Sequence, residues 1–133
     1  MKSFFAIALL GIVSSPAWSC DPKLAGDDVV RIESDRHVVA LRARPTHIAV
    51  SEYFALDVVA CAKTGTAPDL LRVDAHMPAH RHGMNYAPKI RATAPGRWEA
   101  DGLLLHMAGQ WEFLVDLRAG GVTDRLTYSY RLD

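Results

Sequence analysis

Apolar and polar residues alternate along most of the chain beyond residue 36, which is the pattern of β-strands that bury one face. The clearest example is residues 110–118, where one parity holds only large apolar side chains: Trp111, Phe113, Val115 and Leu117. Residues 71–77 and the C-terminal segment follow the same rule, and residues 47–62 form the longest predicted strand. Because no segment sustains a 3.6-residue apolar period beyond about two turns, the chain is predicted to be all-β.

Turn-forming residues separate these strands about every ten residues, as in a sandwich of antiparallel sheets. They include the stretch 63–69, the Pro95-Gly96 pair and Gly120-Gly121, while Asp101-Gly102 is a common hairpin signal. We therefore expect one immunoglobulin-like β-sandwich of about seven strands at residues 36–133. Residues 20–35, which mix Pro, Gly and charge, are interpreted as a tether with one short strand near Val29-Val30.

The N-terminus resembles a secretory signal peptide. Lys2 precedes an apolar run of about ten residues, and a small-x-small ending at Ala17 and Ser19 predicts cleavage before Cys20. The run is too short to cross a bilayer, which takes about twenty residues. The prediction is a signal peptide at residues 1–19, a periplasmic or secreted location, and no transmembrane segment after its removal; the alternative is an uncleaved anchor.

Cys20 and Cys61 are the only cysteines. In an oxidising compartment such a pair is usually bridged, which favours a disulfide between the mature N-terminus and a strand. The alternative is a lipoprotein acylated at Cys20, although Trp18 fits a lipidation signal poorly. In either case neither sulfur is well suited to bind a metal as a thiolate.

The charge balance argues against partners that are held by charge. The net charge is zero, and removal of residues 1–19 takes away Lys2 alone. No basic field is then available for nucleic acid or an anionic membrane.

Histidine and methionine are concentrated in two short segments. Four of the six histidines and three of the four methionines lie at 76–86 and 106–107. If residues 78–84 stay extended, alternate side chains point the same way, so that His76, His80, His82 and Met84 converge. His106 is the candidate to complete the site from a neighbouring strand. Met77 and Met107 continue the apolar parity of their strands, which favours core positions for both.

Imidazole and thioether ligands without carboxylates or thiolates suit copper, and thioether sulfur favours Cu(I). The alternatives are a histidine-rich loop that hydrogen-bonds its own backbone around Gly83, and a surface that binds a partner. His37 and His47 stand alone in strand-like segments, where a surface or hydrogen-bonding role is expected. Trp98 and Trp111 are interpreted as ordinary core residues.

No enzyme class fits the sequence well. It contains neither a nucleophile elbow nor a free cysteine placed with a histidine. The loop at 78–88 has no carboxylate to serve as the base of a zinc hydrolase. A blue-copper carrier would need a ligand cysteine, and Cys61 is remote in sequence. We therefore expect a protein without enzyme activity.

Two motifs resemble the YtkA-like family, which is related to the FixH-like proteins. They are Val73-x-Ala75-x-Met77-Pro78-x-His80-x-His82-Gly83-Met84 and Gly96-x-Trp98-x-x-x-Gly102-Leu103-x-x-His106-Met107-x-Gly109-x-Trp111-x-Phe113, within residues 46–118. The resemblance implies a small exported immunoglobulin-like sandwich, frequently linked with copper handling or oxidase assembly. The positions that match the family are His80, His82, Met84, His106 and Met107, so the resemblance adds Met107 to the proposed ligands.

The leading hypothesis is a periplasmic copper chaperone or buffer that passes copper to an acceptor protein of the envelope. The rival is an accessory interaction domain of an envelope redox or transport system, without metal. No transmembrane anchor of the kind found in FixH-like members is expected after signal removal, which argues against a direct role in oxidase assembly.

Overall fold

The structure is a computed structural model that describes residues 20–133; the predicted signal peptide at 1–19 lies outside the described residues. Nine β-strands follow one another along this part of the chain: β1 (Val30–Glu33), β2 (His37–Arg44), β3 (Tyr53–Ala62), β4 (Asp69–Met77), β5 (His82–Gly83), β6 (Lys89–Ala94), β7 (Arg97–Leu104), β8 (Gly109–Ala119) and β9 (Val122–Leu132). No helix of the described residues has the length and apolar character needed to cross a membrane.

The strands form two antiparallel sheets. Sheet 1 has the order β1-β2-β3-β7-β6, and sheet 2 has the order β5-β4-β8-β9. The predicted all-β sandwich is confirmed. It has nine strands where about seven were expected, because the tether contributes β1 and the histidine-rich loop contributes the two-residue strand β5.

The core lies between the sheets and is built from the inward parity of each strand. In β8 this parity consists of Trp111, Phe113, Val115 and Leu117, all buried as the alternation predicts. The rings of Phe54 from sheet 1 and Phe113 from sheet 2 meet edge to face at 6.1 Å between centroids, so aromatic contacts bridge the two layers.

Segment 20–26 holds the outer face of sheet 1. The disulfide between Cys20 and Cys61 is present, as the favoured alternative predicted. The side chain of Arg97 donates a hydrogen bond to the carbonyl of Lys23, and that of Arg42 donates to the carbonyl of Ala25. This cover explains why both faces of β2 are buried from His37 to Leu41.

Two strand predictions differ from the structure. Residues 47–52 form a loop, because Ser51 adopts a left-handed φ of 63° and its amide bonds the carbonyl of Leu105. The Asp101-Gly102 pair lies inside β7 and does not form a hairpin turn. There Gly102 has a φ of 86°, and the register with β3 skips it between Asp101 and Leu103, so the pair forms a β-bulge.

Candidate metal site

The candidate site lies at the end of the sandwich where the chain passes from β7 in sheet 1 to β8 in sheet 2. His106 belongs to this crossing, and His82 belongs to β5 at the edge of sheet 2. Their imidazole rings are 5.0 Å apart between centroids, with an interplanar angle of 35°. The two segments singled out by their histidines are therefore brought together in the fold.

Trp111 forms the base of this pair. Its ring centroid lies 6.0 Å from that of His82 and 5.4 Å from that of His106, and it meets both edge to face. The side chain is 0% exposed, and its indole N–H donates a 3.0 Å hydrogen bond to the carbonyl of Met107. The indole therefore fixes the backbone of the crossing while it supports both imidazoles.

His106 carries a buried nitrogen without a partner. Its Nδ1 atom is screened from solvent and has no hydrogen-bond partner among residues 20–133. A buried polar atom left in this state costs about 1–3 kcal/mol. Such an atom is uncommon in a folded core, and Arg42 Nε is in the same state. An ordered water or a bound ion would each satisfy it, and an ion is the alternative that the neighbouring imidazole makes specific to this site.

His80 lies at the exposed side of the pair. It occupies the turn after β4, where its amide and that of Arg81 both donate to the carbonyl of Met77. Its ring lies edge to face with that of His82, at 5.6 Å between centroids. Three imidazoles thus form a chain from solvent to the buried nitrogen of His106.

His76 points away from this group. It faces Glu112 across the ladder between β4 and β8, with 3.1 Å between Nε2 and Oε1. Met77 and His82 are direct partners in the next ladder, so their side chains leave sheet 2 on the same face, opposite to that of His76. Residues 78–81 turn, with Arg81 at a φ of 55°, and this breaks the extended conformation on which convergence of His76 with the others depended.

The methionines take different positions. Met77 is 2% exposed and belongs to the core, whereas Met84 and Met107 are half-buried and pack against it. Met84 follows His82 by two residues, and its amide bonds the carbonyl of Ala75, which continues the β5 pairing. Met84 lies directly after β5 and is the thioether nearest to His82 along the chain.

Residues 20–133 contain no group of three or more His, Cys, Asp or Glu side chains arranged to hold a metal, and this absence includes the histidines themselves. The arrangement can supply the two imidazoles of His82 and His106, so any further donor would have to be a thioether sulfur or come from elsewhere.

The two isolated histidines differ from each other. His37 is buried, and its Nδ1 lies 2.7 Å from Asp124 Oδ2, which also accepts a hydrogen bond from the Ser34 hydroxyl. The two hydrogen bonds lower the pKa of Asp124 although burial, the largest single influence, raises it. Ser34 donates to the aspartate and not to the histidine, so the trio ties β9 to the β1–β2 turn and does not form an activated nucleophile. His47 is exposed.

Trp111 was interpreted from the sequence as core, and its burial agrees with that. The sequence could not predict its contact with both imidazoles, because a tryptophan that only fills the core would occupy the same inward position of β8.

No family model, curated protein or solved structure matches the chain.

Proposed function

We propose that the protein binds copper, with Cu(I) favoured, through His82, His106 and the thioether of Met84. The observation that supports this most strongly is the pair of imidazoles 5.0 Å apart, one of which carries a buried nitrogen without a partner. Two imidazoles that share one ion at bond lengths of about 2.0 Å have ring centres roughly 5–6 Å apart, which is close to the separation of these two rings. His82 would bind through Nε2, because its Nδ1 lies 3.4 Å from the carbonyl of Gly83.

The donor set favours Cu(I) over harder ions. Imidazole accepts Cu(I), Cu(II) or Zn(II), but thioether sulfur selects Cu(I) among them. Zinc in a structural site takes four ligands, usually with cysteine thiolates among them. Cu(I) accepts lower coordination numbers, which the three donors provide.

We further propose that copper is cargo, passed to an acceptor protein of the cell envelope. Transfer by ligand exchange needs a donor that reaches both the bound ion and solvent. His80 meets that need, because it is exposed and its ring contacts that of His82. In this proposal His106 is the fixed ligand, His82 and Met84 complete the site, and His80 exchanges. Met107 serves through its carbonyl, which holds Trp111.

The proposal is tested by a Cu(I) competition titration of the purified protein against a chromogenic chelator. We expect one Cu(I) per protein, and a loss of affinity of at least about tenfold in both His82→Ala and His106→Ala. His76→Ala and His47→Ala are matched controls, since His76 pairs with Glu112 and His47 is exposed outside the site. An affinity equal to that of a generic histidine-rich peptide, or a loss in the controls equal to that in the site variants, would contradict the proposal.

A second candidate is an interaction domain without metal, and one observation favours it. Tyr53 and Tyr86 are 61% and 53% exposed, and their rings contact each other at 6.0 Å between centroids. Tyr53 pairs with Leu104, two residues before His106, so this apolar patch borders the histidines. Patches of this kind frequently mark protein contacts.

The triple variant His80→Ala, His82→Ala and Met84→Ala distinguishes three hypotheses: a copper site, an interaction surface and a purely structural loop. The copper hypothesis predicts loss of metal with an intact fold. An interaction surface predicts loss of partner binding with no metal effect, and a purely structural loop predicts a lower melting temperature.

A further inference from the structure

A cavity of about 390 Å³ opens between the sheets on the side of the sandwich where β1 and β9 are edge strands. The two edges are tied together at Asp124, which binds both Ser34 and His37. Along β9, the cavity begins four residues further on, at Tyr128, and includes Tyr130. The opening therefore lies beyond the point at which the sheets are joined.

The inner wall of this cavity is apolar and reaches the core, whereas its mouth is polar and open to solvent. Leu41, Ile48, Leu56 and Phe113 line its depth and are all buried, while Tyr128 and Tyr130 are half-buried beside it. The rings of Phe113 and Tyr130 contact each other at 5.9 Å between centroids, so part of the wall is aromatic. A cleft of this volume, with an apolar floor and polar groups at its mouth, has the form of a small-molecule site.

The charge at the cavity is negative. Asp27 and Asp28 line it and are exposed, and neither forms a salt bridge with any group among residues 20–133. The lining contains no lysine, arginine or histidine to oppose them. A ligand of complementary charge would therefore carry a cation.

We propose that this cavity binds a small organic cation with an apolar body. The body lies against Phe113 and Tyr130, and the ammonium or guanidinium group lies at the mouth beside Asp27 and Asp28. The lining shares no residue with His82, His106 or Trp111, so this site is independent of the copper site. Each proposal can therefore fail without the other.

Three probes of one shape test the proposal: 4-phenylbutylammonium, 4-phenylbutanol and 4-phenylbutyrate. Each is titrated into the purified protein while the NMR signals of Tyr128, Tyr130 and Phe113 are followed. We expect the ammonium probe to bind about five to ten times more tightly than the alcohol, and the carboxylate to bind most weakly.

The double variant Asp27→Asn with Asp28→Asn keeps the shape of the mouth and removes its charge. We expect it to bind the ammonium probe and the alcohol equally, whereas the control pair Asp69→Asn with Asp101→Asn, exposed elsewhere, keeps the preference. The proposal is overturned if no probe shifts the signals of the lining residues. It is also overturned if the three probes bind alike, or if the preference survives in the Asp27 and Asp28 variant.

Discussion

Gly109 joins the crossing segment to β8, directly beside the histidines. Its φ is 135°, and a Cβ built there would lie 2.7 Å from the Cε of Met77. That backbone conformation is nearly exclusive to glycine. The close approach of Met77 to the backbone at Gly109 sets where the crossing lies over sheet 2.

We predict that Gly109→Ala lowers the free energy of unfolding by about 2–3 kcal/mol and weakens Cu(I) binding, because it strains the backbone and displaces the buried Met77. Gly65→Ala is the matched control, since Gly65 has a φ of 79° with nothing within 4 Å of the added Cβ. It should cost about 1 kcal/mol and leave Cu(I) affinity unchanged. Urea unfolding and the Cu(I) competition measure both effects, and equal costs at the two positions would contradict the role given to Met77.

For single residues, the sequence is a better guide to which segments lie close together than to the geometry of their side chains. The density of histidine at 76–86 and 106–107 predicted that the two segments meet, and the rings of His82 and His106 lie 5.0 Å apart between centroids; whether they bind a metal stays a prediction. The exclusion of His76 could not be foreseen, because it depends on the left-handed conformation of Arg81, for which arginine carries no preference. The unpartnered nitrogen of His106 arises from tertiary packing alone.

At the scale of elements, β8 and β9 form the longest hairpin and are joined on the outer face by an ion pair. Arg125 donates two hydrogen bonds to the buried carboxylate of Asp116, at 2.7 and 2.8 Å. These bonds lower the pKa of Asp116 against the opposing effect of burial. The folded state therefore favours the ionised carboxylate more than the unfolded state does.

We predict that Asp116→Asn lowers the free energy of unfolding by about 1–2 kcal/mol at pH 7. The stabilisation is present above the unfolded pKa of aspartate, about 3.9, and is lost as pH falls through the lower folded value. The difference between wild type and variant should therefore shrink in acid.

Urea unfolding at pH 7 and at pH values below 4 measures this difference. Asp27→Asn is the control, since Asp27 is exposed and forms no salt bridge within residues 20–133; its cost should be near zero at every pH. A cost for Asp116→Asn that does not change with pH would mean that the ion pair is not its origin.

Strands with clean apolar and polar alternation were predicted with nearly correct bounds. Where the sequence pattern was ambiguous, the predicted bounds were wrong. The alternation at 110–118 gave β8 almost to its ends, because its inward side chains are large and its outward ones mostly polar. The strand predicted at 47–62 was too long, since Ile48 is buried from a loop and imitates a strand position. The pair Asp101-Gly102 is common in hairpin turns, but a glycine with positive φ is equally suited to a β-bulge. Only the pairing with the neighbouring strand shows which of the two is formed.

For the whole molecule, the disulfide fixes segment 20–26 across the outer face of sheet 1. It joins residues 41 positions apart. Replacing both cysteines by serine should lower the free energy of unfolding by about 3–4 kcal/mol, from the loop entropy restored to the unfolded chain. Wild type unfolded in a reducing agent should match the variant. A loss below about 1 kcal/mol would show that the disulfide does not constrain the unfolded chain as that mechanism requires.

The two candidate sites lie at different places in the sandwich, although β8 contributes Trp111 to one and Phe113 to the other. The histidines lie where β7 crosses to β8 and at the β5 edge, while the apolar cavity lies between the edges β1 and β9. A single cooperative core thus supports both, and variants at one should leave the other intact.

In the proposed site, His82, His106 and a methionine sulfur bind one Cu(I). X-ray absorption at the copper edge of the Cu(I)-loaded protein identifies the atoms bound to the metal and so examines this ligand set itself. We expect imidazole nitrogen together with one sulfur scatterer, and loss of the sulfur in Met84→Leu, which keeps the volume of the side chain. A spectrum with nitrogen or oxygen alone, or a protein that retains no Cu(I), would contradict this ligand set.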